Sequence, residues 1–173
     1  MKTAVAILAI GGALVLQAML SGLLIGGTIA VNLVLVAVVY FALAYGAATG
    51  LLAGAIAGLA QDALAGGIVG VGGMANTVIG FVVGVLSAQF NLSSTVPRLV
   101  IFMAATFVHE LAVAGLQGVV GGRHFALRFS AMFIQALVNG LIGVVAFGVV
   151  EHGPETVQRC RVRRATMLSK RRL

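Results

Sequence analysis

The chain has 173 residues, 61% of them hydrophobic and 9% charged, with a mean hydropathy of +1.15. Soluble domains carry about a quarter charged residues, and a water-soluble fold of this length has no interior large enough for so much apolar surface. The composition therefore excludes a soluble enzyme or binding domain and defines an integral membrane protein. The net charge of +7 is not a nucleic-acid footprint, because seven of the eleven Lys and Arg residues fall in the last fifteen positions. No nucleic-acid partner is expected.

The N-terminus, MKTAVAILAIGGALVLQAML, resembles a signal peptide, but its apolar run is long and no clear A-x-A cleavage site follows. We read it as an uncleaved first span, residues 4–24. The following apolar stretch, 28–67, holds one charge in forty positions. As one helix it would be about 60 Å long, twice the hydrocarbon thickness, so it must fold back. Gly46 within AYGAATG is the expected turn, which separates span two (29–45) from span three (47–65). A second turn is expected in AGGIVGVGG, residues 65–73, before span four (70–88). Pro97 marks the break before span five (97–120), and span six covers 126–150. The expected fold is an all-α membrane protein, a six-helix transmembrane bundle with short loops. Residues 1–150 form the membrane domain and 151–173 a basic tail. Lys2, Arg98 and the tail then share one side, against Arg123 and Arg128 on the other. This asymmetry places both termini in the cytoplasm.

Polar residues inside such spans are costly and therefore informative. Gly50, Gly54, Gly58 and Asp62 recur every four residues and form one stripe on span three, suited to close small-residue packing. Gln61 stands beside Asp62. Asp62 lies about 22 Å along its span from the turn at Gly46, near the outer interface. Three roles fit it: a cap on the glycine-rich turn, a contact to a partner protein, or a bound solute or proton. Gly80 and Gly84 repeat the spacing on span four, with Asn76 one turn earlier, so spans three and four are expected to pack as a hairpin.

Span five carries His109 and Glu110 near its middle. Adjacent residues point about 100° apart on a helix, so the two need not share a site. Glu110 and Gln117, seven apart, do share a face. Span six carries Gln135 and Asn139, expected to bond to neighbouring helices. No phosphate-binding glycine loop or H-E-x-x-H motif is present, and no catalytic triad is legible. Catalytic residues, cofactors and metal ligands are therefore not expected. One cysteine, Cys160, cannot form an internal disulfide. In the tail, Arg159, Arg161, Arg163, Arg164, Lys170, Arg171 and Arg172 suit anionic lipid, at about 1 kcal/mol per residue near the surface, or an acidic cytoplasmic partner.

The stretch Gly54, Gly58, Gln61, Asp62, Gly66, Gly67 and Gly70, followed by Ile79, Gly80, Phe81 and Gly84, resembles the core of the MreD family of rod shape-determining membrane proteins. The family pattern is G-x-x-x-G-x-x-Q-D-x-x-x-G-G-x-x-G followed by V-G-Y-x-x-G. Here Phe81 replaces its frequent Tyr, and Gly72 stands where Asn or His is common. The resemblance covers about a third of the chain. It implies a non-enzymatic scaffold of lateral cell-wall elongation, in the inner membrane of a bacterium. The implied partners are an MreC-like single-span protein and, indirectly, MreB, RodA and a class B transpeptidase. The glycine hairpin would then set either internal packing or the MreC contact. The family is also distantly similar to S-components of energy-coupling-factor transporters, which implies an S-component-like bundle. It keeps open an alternative, a substrate-binding subunit of a vitamin transporter, with Asp62, Asn76, Glu110, Gln117 and Arg123 as candidate pocket walls.

Overall fold

The structure is a computed structural model. It describes residues 11–17, 31–66, 69–90, 94–121 and 129–170, with side chains through 119 and from 129 to 150. All regular elements among them are helices: α1 (residues 11–17), α2 (Leu33–Tyr45), α3 (Ala47–Ala65), α4 (Val71–Gln89), α5 (Thr95–Gly121) and α6 (Phe129–Lys170). The protein is an all-α membrane bundle.

Four helices, α3 to α6, have the length and hydropathy to cross a membrane. The second does not. Its 13 residues reach about 20 Å at 1.5 Å per residue, short of the roughly 30 Å hydrocarbon core. Span two was expected from residue 29, yet helix begins only at Leu33. The reason is Asn32, whose Oδ1 accepts a hydrogen bond from Leu35 N at 3.0 Å and caps the first turn. Gln17 of α1 adds a second cap, its Oε1 accepting from Val34 N at 3.1 Å.

This short helix is the centre of the bundle. Val34, Leu35, Val38, Val39, Phe41 and Ala42 are all buried, and α2 touches α3, α4, α5 and α6. A helix apolar all round is one enclosed by other helices. Around it, contacts run from α3 to α4, α4 to α5 and α5 to α6. The outer faces are apolar too: Leu52, Ile56, Met74, Val78 and Val145 are each at least 60% exposed. Polar side chains are turned inward instead. That inversion relative to a soluble protein is what a lipid solvent requires.

The turn between α2 and α3 is a single residue. Gly46 has φ +87° and ends one helix while it starts the next, a conformation strained for any residue with a Cβ. The turn between α3 and α4 uses Gly66 at φ +65° and Gly70 at φ +107°. Gly72 and Gly73, expected in this turn, lie inside the first turn of α4. Helix α5 starts at Thr95, so Pro97 sits in its first turn, where the missing N–H has no intrahelical use. Helix α6 does not stop at residue 150. It runs 42 residues to Lys170, about 63 Å, well beyond the bilayer core. Most of span one, together with Gly67, Arg123, Arg128 and the side chains of the basic tail, lies outside the described residues.

Candidate functional site

Among the described helices, α3 and α4 form the closest pair. A Cβ added to Gly50 or to Gly80 would overlap the other's backbone carbonyl. One at Gly58 would stand 2.6 Å from Gly73 Cα, and one at Gly54 2.6 Å from the Asn76 carbonyl carbon. At Gly84 the obstacle is the backbone of Ala47. Backbone meets backbone along the whole seam, which only glycine allows. The stripe on α3 therefore faces α4, and bulk placed there acts on the bundle itself.

Asp62 closes the same seam at the end that carries the α3–α4 turn. Its Oδ2 accepts hydrogen bonds from Gly70 N at 2.8 Å and Gly73 N at 3.0 Å. Those N–H groups belong to the cap and third residue of α4, donors with no intrahelical partner. A carboxylate at a helix N-terminus also meets the positive end of the macrodipole. The absence of side chains at Gly72 and Gly73 is part of the arrangement, since a Cβ on Gly72 would collide with Asp62 Oδ1. Asp62 of one helix thus caps the next.

One turn inward lies a polar core built from five helices and their caps. Asn32 is its hub. Its backbone N–H donates to Asn139 Oδ1 at 3.2 Å, and its Nδ2 lies 3.2 Å from His109 Nε2. Gln61 Nε2 reaches Asn32 Oδ1 at 3.5 Å, and Asn76 Nδ2 donates to Gln61 Oε1 at 3.4 Å. Asn32, Asn76, His109 and Asn139 are buried. The Leu35 N–H identifies Oδ1 of Asn32 as the acceptor, so Nδ2 is the donor toward His109. His109 Nε2 must then accept, and the proton of the neutral ring sits on Nδ1.

His109 and Glu110 occupy separate sites, as their spacing allows. Glu110 Oε1 accepts from Gln135 Nε2 at 2.8 Å, a bond between α5 and α6 away from the Asn32 hub. Gln117 is half-buried further along α5. Asp62, Asn76, Glu110 and Gln117 are thus not gathered into one hydrogen-bonded group, and Arg123 lies outside the described residues. At the opposite end of the bundle the Arg98 guanidinium stacks over Phe147, 4.0 Å from its centroid, and Phe147 packs edge-on against Tyr40.

Asn32 and Gln17 were not singled out from sequence. An Asn at the start of an apolar run is an N-cap signal, and that signal was available at Asn32. Nothing local reveals that it would join α2 to α3, α5 and α6. We expect Asn32→Leu to remove the cap, at about 1 kcal/mol, and two interhelical side-chain bonds, at about 0.6 kcal/mol each. The expected loss, about 2 kcal/mol, is read as a lowered unfolding midpoint in detergent; an unchanged midpoint contradicts the hub role.

Outward-facing aliphatic side chains, an enclosed short helix and an inward polar core define a polytopic membrane protein whose polar groups bind its own helices together. The chain belongs to the family of rod shape-determining protein MreD, whose family model matches residues 3–151. Neither the curated proteins nor the solved structures give a significant match. The family is one of shape-determining proteins of the membrane, and of the residues that carry the resemblance Gly54, Gly58, Gly80 and Gly84 form the α3–α4 seam while Asp62 caps it through Gly70.

Proposed function

We propose that this chain is a non-enzymatic scaffold of the lateral wall elongation machinery in the bacterial inner membrane. In this reading it binds an MreC-like single-span protein and through it is linked to MreB, RodA and a class B transpeptidase. The family match over residues 3–151 is the observation that carries the proposal. Both termini are cytoplasmic, as the Lys and Arg asymmetry favours, and the basic continuation of α6 lies against anionic lipid.

The seam glycines Gly50, Gly54, Gly58, Gly80 and Gly84 are occupied by internal contacts. A partner helix therefore meets the outward faces, such as Leu52, Ile56 and Leu59 on α3, or the turn that Asp62 holds. In this reading Asp62 acts on a partner by fixing the shape of that turn.

The test is depletion in the native host, with cell shape and the site of new wall synthesis followed by microscopy. Rods that become round while vitamin uptake is unchanged support the scaffold. Normal shape with growth that needs a supplied vitamin overturns it in favour of a transporter subunit.

A further inference from the structure

Among the described residues the polar core is not complete. Three of its buried side-chain atoms have no hydrogen-bond partner there: Asn76 Oδ1, His109 Nδ1 and Asn139 Nδ2. The residues that carry them are 0%, 4% and 0% exposed. Each such atom ordinarily costs the full desolvation of a polar group, and lipid outside the bundle offers no alternative partner. Three of them within one network point to a resident ligand.

The chemistry of the three atoms selects its class. With Nε2 of His109 committed as the acceptor from Asn32, Nδ1–H is a donor. Asn139 Oδ1 accepts from the Asn32 backbone, so its free Nδ2 is also a donor. Asn76 Nδ2 donates to Gln61, so its free Oδ1 is an acceptor. Two donors and one acceptor on one network do not suit a bare cation. An anion is disfavoured by that acceptor and by the Asp62 carboxylate, one residue along α3 from Gln61 of the network. The ligand is neutral and both donates and accepts. It is also small, because the members of the network already bond to one another directly at 3.2 to 3.5 Å.

We propose that ordered water molecules complete the polar core, bound at His109 Nδ1–H, Asn139 Nδ2–H and Asn76 Oδ1. The site lies at the N-terminus of the enclosed helix α2, where the chain enters the bundle centre through Asn32. Water there makes the core hydrated and not a dry polar plug. Buried waters typically make about three hydrogen bonds to groups left unsatisfied by the protein.

The experiment uses the full chain in lipid bilayers, labelled with ¹⁵N, and measures water-to-protein magnetisation transfer by solid-state NMR. The chain has three histidines. Replacing His124 and His152 by Asn leaves His109 as the one imidazole and alters no residue of the site. Transfer from water to His109 Nδ1 and Asn139 Nδ2 within milliseconds is expected, with no comparable signal at the Val38 amide of the same core. Both nitrogens as dry as Val38 would overturn the proposal. So would native mass spectrometry that finds an organic molecule retained by the wild-type chain and lost on Asn139→Leu. Neither outcome depends on whether depletion alters cell shape.

Discussion

Gly80→Leu disrupts the α3–α4 hairpin and lowers the yield of folded protein several-fold. A side chain at position 80 has nowhere to go, because its Cβ already overlaps the Gly50 carbonyl across the seam. The obstacle is backbone, which cannot rotate aside as a flexible side chain does. Overpacking in a core ordinarily costs about 1–3 kcal/mol. Here the two helices must separate along a contact formed by Gly50, Gly54, Gly58, Gly80 and Gly84 together, so we expect about 4 kcal/mol or more. The readouts are the monodisperse fraction on size exclusion and the thermal midpoint of helix loss. Gly118→Leu on α5 is the control. None of the described residues lies within 4 Å of a Cβ there, and the expected change is within about 0.5 kcal/mol. Equal behaviour of the two variants would contradict the seam. Gly58→Leu belongs with Gly80→Leu, since Gly73 stands against it. Loss of a partner from that variant would first report damage to the hairpin.

Asp62→Leu also has a large expected effect. It leaves the N–H groups of Gly70 and Gly73 without the carboxylate that accepts from both. A hydrogen bond to a charged group contributes about 1.5–3 kcal/mol. Asp62 is half-buried near the end of its helix, where water can partly replace it, so the loss expected for the pair is about 2 kcal/mol. Asp62→Asn keeps an acceptor oxygen but not the charge, and should recover about half of that. Amide exchange at Gly70 and Gly73 separates the cap from a general effect. Faster exchange there, with the α2 core amides still protected, is expected for Asp62→Leu. Uniform loosening of all helices would mean that Asp62 has another role.

The outcome for rod shape follows the same ordering. If the turn between α3 and α4 is what a partner reads, Asp62→Leu should impair complementation of a depleted strain more than its stability loss implies, and Asp62→Asn should rescue it in part.

Membrane residence, the all-helical class and the close approach of α3 to α4 were legible in the chain, and for local reasons. Lipid requires every backbone group to be satisfied within a helix, so hydropathy and length alone imply helices. A four-residue glycine spacing creates a groove on one helix face whatever surrounds it. The QD pair followed by spaced glycines placed a carboxylate next to a turn rich in free N–H groups.

What only the tertiary structure decided is which helix lies inside. Residues 29–45 read as one more span, because composition cannot distinguish a lipid-facing apolar surface from a protein-facing one. Burial of most of α2 depends on the four other helices that it touches. The role of Asn32 is decided in the same way. Its cap on Leu35 is local, but its partners His109 and Asn139 lie 77 and 107 residues away in the chain. Such contacts follow from how the helices close around α2, and no short-range pattern encodes them.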